Sequence, residues 1–325
     1  MKKFFLLFVL FLLIFGLISC NINFLNPNDS EDNKAVPGTI TTHTANTVNF
    51  NMVLSPAAKI PIKNNNSLTK TVEKAFWLGE TPVTYDLWYA VKNWAKNNGY
   101  IFANLGMEGS SGSDGAPPSS SKNEPVTRIS WRDAIVWSNA LSEILELIPV
   151  YRYNENIIKD ATDSEACDNA IQTNNFGFRL PNEWEWELAA RYIGSEKPSQ
   201  EPNLKEDAIN LEDLWWTPGL YASGAYADYN NSEETKAVAW YSENSDIADL
   251  KKTHPVKEKR ANQLGIYDMS GNVWEWCYNK DSFSTNRVLR GGDWRDTELW
   301  LALPIVNSPD TKSDRIGFRV AITFF

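Results

Sequence analysis

Histidine and cysteine are almost missing from this chain: 325 residues contain two histidines and three cysteines. A structural zinc framework needs four nitrogen or sulfur ligands at close spacing. Cys20, Cys167, Cys277, His43 and His254 are scattered and supply no such set. Cysteine–histidine catalysis is excluded on the same ground, and a Ser-His-Asp hydrolase would rest on His254 alone, because His43 lies in an Asn/Thr-rich stretch read as a tether. Positive charge is also short, with 31 Lys and Arg against 41 Asp and Glu and a formal net charge of −10. Such a chain repels phosphate backbones, which removes nucleic acid from the list of partners. Long apolar runs are lacking too. The one apolar run of any length, Phe4 to Ile18, is shorter than the roughly 20 residues a membrane span needs. No internal repeat is visible.

That short run is informative because of what flanks it. Lys2 and Lys3 form a basic start, the apolar stretch has the length of a secretory core, and it ends in Leu17-Ile18-Ser19-Cys20. This ending resembles a bacterial lipobox, in which cleavage before the cysteine frees it to carry lipid. The expectation is a signal peptide over residues 1–19, lipidation of Cys20, and an exported, membrane-anchored protein at the outer membrane or cell surface. Residues 20–70 are rich in Asn, Thr, Pro and Lys, with turn chemistry at Asn26–Ser30 and Lys63–Ser67. They read as a flexible tether, with a strand or two near Asn49 to Ile60 able to pair with the body. Cys167 and Cys277 can pair with each other or stay as buried thiols; their spacing leaves both open.

The body runs from about Thr71 to Phe325. Thr84 is placed to cap a helix reaching about Asn97, and Ser130 with Asp133 makes a capping box before Ala134, Trp137, Leu141, Ile144 and Leu145. Pro181 suits the first turn of a third helix containing Trp184, Leu188 and Arg191. Glu108–Pro125 and Gly194 to about Ala237 read as loops. Short strands are expected around Arg287–Leu289 and Phe318–Phe324. Few long elements and much irregular chain make the fold class α+β. The fourteen tryptophans then serve as large apolar anchors, and Arg179, Glu183, Glu275, Arg290 and Arg319, which recur beside aromatics, are expected to form buried ion pairs.

Six segments occur in a recognisable order: Gly79-Glu80-Thr81-Pro82-Val83-Thr84, Pro125 to Ala134, Phe178 to Glu187, Gly265 to Trp276, Arg290-Gly291-Gly292-Asp293-Trp294, and Ile316 to Ala321. Together they resemble the formylglycine-generating-enzyme, or sulfatase-modifying-factor, family over nearly all of residues 71–325. The resemblance implies that family's elaborated C-type-lectin fold. It does not extend to the chemistry. The active enzymes carry two cysteines shortly after the Arg-Gly-Gly motif, and the matching positions here are Asp296 and Leu301. A carboxylate and an alkyl group can neither ligate Cu(I) as thiolates nor attack a disulfide.

The segment after Gly292 departs from the family, which resembles the variable proteins of diversity-generating retroelements, with 287–325 as the variable-type segment. The function implied is a non-enzymatic, monomeric, surface-displayed lipoprotein that takes a protein or glycan ligand; a divergent modifying enzyme or oxidoreductase is the alternative. The ligand-binding residues expected are Asp293, Arg295, Asp296, Thr297, Leu299, Leu303, Ile305 and Asn307, with Trp294 and Trp300 in the core. No cofactor is required. The resemblance also implies a structural calcium at Asp268, Gly271, Val273 and Glu275, the competing role for Glu275 being an ion pair with an arginine such as Arg290.

Overall fold

Three helices begin where local chemistry demands. In the computed structural model, which describes residues 36–62, 65–119, 123–173, 176–199, 202–247 and 250–323, helix α1 spans Tyr85–Lys96 and Thr84 caps it by accepting from the Leu87 N–H. Helix α2, Trp131–Ile144, opens with the expected reciprocal box between Ser130 and Asp133. The other Asp133 oxygen accepts the N–H groups of Ala103 and Asn104, so this cap also fastens the chain that follows α1. Helix α3, Glu183–Arg191, is capped by Asn182 in a second box with Glu185. That leaves Pro181 outside the first turn, a shift from the sequence reading. The signal segment 1–19 and Cys20 lie outside the described residues.

Two four-stranded sheets frame the rest. The first contains β1 (Ile40–Ala45), β2 (Val48–Ser55), β3 (Phe76–Gly79) and, from the chain's end, Ala321–Thr323, in the order β1-β2-β3-(321–323). The second contains β4 (Trp274–Lys280), β5 (Arg287–Arg290), β6 (Ile305–Asn307) and β7 (Ile316–Gly317), in the order β6-β5-β4-β7. The remaining strand, Ala321–Thr323, is β8. Residues 35–325 form one compact unit.

The expected tether is therefore too long, and the body does not begin at Thr71. Strand β2 pairs with β3 along Met52↔Gly79 to Ser55↔Phe76, and Met52, Val53 and Leu54 are buried. The Asn and Thr residues that suggested coil are used as a ladder, with Thr42 and Thr44 donating to the side chains of Asn51 and Asn49. A second hairpin, Ala58–Ile62 with Asn65–Val72, follows. The stretch 194–237 likewise holds structure. Strand Leu214–Trp216 pairs with Ile209–Leu211 and Tyr192–Gly194, and helix α4 spans Ser232–Val238. The tight turn there is Glu212-Asp213, both at positive φ, without the Asn-Gly signal that usually marks such a turn.

Tryptophans build the core as expected, with one exception given below. Trp88 of α1 stacks on Trp137 of α2 at 6.0 Å, and Phe318 meets both edge-on. Each such pair contributes about 0.5–1.5 kcal/mol beyond the area it buries. Cys167 and Cys277 are separate buried thiols. Burial pushes the Cys167 thiol up to about 12 and the Cys277 thiol well above the usual range.

Candidate functional site

The segment singled out by sequence leaves β5 through Gly291-Gly292. Both glycines have positive φ, and a Cβ on Gly292 would sit 2.9 Å from Leu301 and 3.1 Å from the Trp300 carbonyl. Only glycine lets the chain double back so closely. The strand end is held by charge. Arg290 lies over the Trp186 ring at 4.9 Å and pairs with Glu187. Burial lowers its guanidinium to about 10. Arg179 pairs with Glu185 at 2.7 Å. Arg179 and Arg290 thus form buried ion pairs as expected, with partners that spacing did not name, whereas Glu183 is only half-buried.

After the glycines the start of the segment is clamped by one arginine. Arg315 pairs with Asp293 at 2.5 Å and with Asp296 at 2.7 Å. Asp296 also accepts the Asp293 N–H, and Asp293 accepts the Arg295 N–H. Burial, with Asp296 beside it, raises the Asp293 carboxyl well above the usual range. Asp293 is therefore scaffold, since its side chain is 0 % exposed, and it is withdrawn from the ligand-binding set. Trp294 is buried as expected. Trp300, expected in the core, is instead 42 % exposed. The reason is the 3-10 turn Glu298–Leu301, which turns Leu301 inward and its neighbour out. Arg295, Thr297 and Leu299 are exposed, Asp296, Leu303, Ile305 and Asn307 half-buried. Asn307 spends its side-chain oxygen on Ser308 and Thr311.

Sequence reasoning missed two features. Val306, 43 % exposed, alternates with Ile305 and Asn307 on the edge strand β6, a period-two signal that was available. The chain before β4 also borders the segment. The Ser242 N–H donates to the Asp296 carbonyl at 3.0 Å, and the Ser245 hydroxyl donates to the Trp294 carbonyl at 2.6 Å.

The two positions that carry cysteines in active enzymes are occupied by scaffold groups. Asp296 is held by Arg315. Leu301 is buried in a cluster with Val238 and Tyr241, and its carbonyl accepts from Ser270. The cavity among Trp186, Glu187, Ser223, Ser270 and Leu301 measures about 10 Å³, the lower limit for a single water.

Glu275, the charged ligand expected for calcium, is already spent on partners within the protein. Glu275 accepts from Arg319 at 2.6 Å through each oxygen and from the Trp186 indole at 2.7 Å, and both charged side chains are fully buried. The Gly271 carbonyl accepts from the Val273 N–H. Asp268 accepts from the Lys257 N–H through Oδ2, its Oδ1 is buried without a partner, and burial pushes its carboxyl up to about 6. Among the described residues no group of three His, Cys, Asp or Glu could hold a metal ion. The ion-pair role of Glu275 is the one realised, through Arg319 and not Arg290. Chelation should accordingly leave the melting temperature unchanged to within about 1 °C, because a ligand stabilises only by binding the native state. A calcium-dependent rise in calorimetry would contradict this assignment.

Comparison with known proteins agrees with this geometry. The model of the sulfatase-modifying factor enzyme 1-like domain matches residues 32–324. Chaperone protein LppX of Paenibacillus barcinonensis is 33% identical over 211 residues, 55% of this chain and 63% of that protein. The inactive C-alpha-formylglycine-generating enzyme 2 of Mus musculus is 29% identical over 207 residues, 61% of this chain and 56% of that protein. The chain thus spans about three fifths of the length of these curated relatives. Among solved structures, variable protein 1 of Treponema denticola superposes with a TM-score of 0.60 at 28% identity, covering 87% of this chain and 98% of that one. The fold is the elaborated C-type-lectin type of these relatives, and the chain belongs to the sulfatase-modifying factor enzyme 1-like domain family.

Proposed function

We propose that this chain is a non-catalytic ligand-binding lipoprotein, exported and anchored through lipid on Cys20, that takes its ligand on the segment from Arg295 to Asn307. One observation carries the reading. The two positions that would bear the catalytic thiols hold Asp296 and Leu301, both spent on the scaffold, while the same segment turns Arg295, Thr297, Leu299, Trp300 and Val306 outward. Aromatic and arginine side chains are the types that dominate binding hot spots, and here they stand on a backbone clamped by Arg315. The likeness to a variable protein and to a relative called inactive supports display over catalysis. The likeness to a protein called a chaperone supports a protein as the ligand over a glycan.

The test exchanges those five outward residues together for alanine or serine. Surface changes of this kind move stability by about 0.5 kcal/mol each or less, so the thermal transition should persist. Binding to host-cell or bacterial surface material should fall about 30-fold or more, since a single hot spot is worth about 2 kcal/mol. Binding that survives the exchange would move the site to the 194–237 region.

A further inference from the structure

The surface around the 3-10 turn Glu298–Leu301 has a composition that points to the charge of its partner. Of fourteen tryptophans, Trp300 is the exposed one. Three of the four half-buried tryptophans carry a lysine of this chain over the ring: Lys70 over Trp184 at 5.1 Å, Lys197 over Trp215 at 5.3 Å and Lys259 over Trp240 at 3.7 Å. The fourth, Trp94, packs on Tyr100. Buried Trp131, Trp186 and Trp294 each hold an arginine. Among the described residues no lysine or arginine lies over Trp300. The negative face of an indole attracts a cation, and at this ring the chain supplies none.

Carboxylates gather around the same turn. Glu298 precedes Trp300 by two residues. Tyr241, which packs in one cluster with Leu301, donates its hydroxyl to Glu243 at 3.1 Å. The Glu233 side chain is 87% exposed, and a single ammonium, Lys236, stands between Glu233 at 3.6 Å and Glu243 at 3.5 Å. Three carboxylates against one ammonium leave a net negative surface. Of the bases of the neighbouring segment, Arg315 is paired with Asp293 and Asp296, and exposed Arg295, whose guanidinium lies over Trp294 at 4.2 Å, offsets one more of these carboxylates and leaves the surface net negative by one. The hydrogen bonds from Ser242 and Ser245 to the Asp296 and Trp294 carbonyls tie the two stretches into one surface. An anionic ligand would meet like charge here, and a purely apolar one would strip water from carboxylates without replacing it.

We infer that Trp300 with Glu298, Glu243 and Glu233 receives a lysine- or arginine-bearing segment of a protein partner, the cation lying on the indole face and pairing with the carboxylates. This rests on the reading that the Arg295–Asn307 segment carries the ligand. The probe is a fluorescein-labelled dodecapeptide alternating arginine and serine, beside a twin with citrulline at every arginine, read by anisotropy. The arginine peptide should bind and the citrulline twin should not. Trp300→Ala should weaken binding roughly tenfold with no change in the thermal transition, because the ring is solvent-facing. Glu298→Gln with Glu243→Gln should weaken it similarly, whereas Glu146→Gln with Glu155→Gln, exposed on other elements, should not. Equal losses from both pairs, or no loss with Trp300→Ala, would mean that the peptide senses only overall charge, and would overturn the inference. A displayed library of random dodecapeptides selected on the immobilised protein separates the two readings. Selected peptides enriched in lysine or arginine and released by Trp300→Ala support it. If they are released by the five-residue exchange yet show no such enrichment, the ligand surface stands and the cationic partner falls. If none responds to the exchange, the surface reading fails and this inference with it.

Discussion

Arg319→Met should cost about 3–5 kcal/mol of folding stability, the usual effect of orphaning one partner of a buried ion pair. The Arg319 and Glu275 side chains are both fully buried. Removing the guanidinium leaves the Glu275 carboxylate with only the Trp186 indole as donor. It also strips donors from the carbonyls of Gly79, Tyr267 and Asp268. Against the roughly 5–15 kcal/mol that holds a typical domain together, that is a large share. Pairing it with Glu275→Leu removes the stranded charge and should recover part of the loss. Urea unfolding of wild type, single and double variants decides the matter. A single variant within about 1 kcal/mol of wild type, or a double variant no better than the single, would show that the pair is not what ties β4 to the turn at Tyr267-Asp268.

Gly271→Ala should cost about 2–5 kcal/mol. The new Cβ would lie 2.2 Å from the Trp240 carbonyl oxygen and 2.9 Å from its carbon, and the residue sits at φ +78°. Backbone cannot swing aside as a flexible side chain can, so overpacking of about 1–3 kcal/mol adds to about 1–2 kcal/mol for the left-handed conformation. Gly265→Ala is the control. It has a similar φ of +82° and nothing within 4 Å of its would-be Cβ, so it should lose only the conformational part. Equal losses at the two positions would show that the close approach of the Trp240 carbonyl is relieved elsewhere.

The parts of this protein that depend on neighbours in sequence were legible in it. Thr84 and the Ser130–Asp133 box set their helix starts because a cap and the N–H it serves lie within three residues. The turn glycines after Arg290 were legible for the same reason. The charged residues were recognised as ion-pairing, but Arg319 reaches 44 residues back to Glu275, and Arg290 reaches Glu187 in another element. Composition cannot choose among such partners. Residues 20–70 were read as tether because Asn and Thr usually mark coil, with a strand or two near Asn49 to Ile60 able to pair with the body. Pairing with β3, and the Thr–Asn ladder on β1, made β2 an inner strand.

At the candidate surface the sequence alone determined that the segment after Gly292 contains no thiol, since no cysteine follows Cys277. It also determined that a run rich in aromatic and apolar residues follows two glycines. Which of those side chains faces solvent was decided only by tertiary structure. Trp294 and Leu301 are buried, and the 3-10 turn carries Leu301 inward while turning Trp300 out. Asp293 looked like a surface carboxylate and became the buried end of a clamp because Arg315, 22 residues later, returns beside it. Burial depends on which segments cover a residue, and those segments arrive from distant parts of the chain.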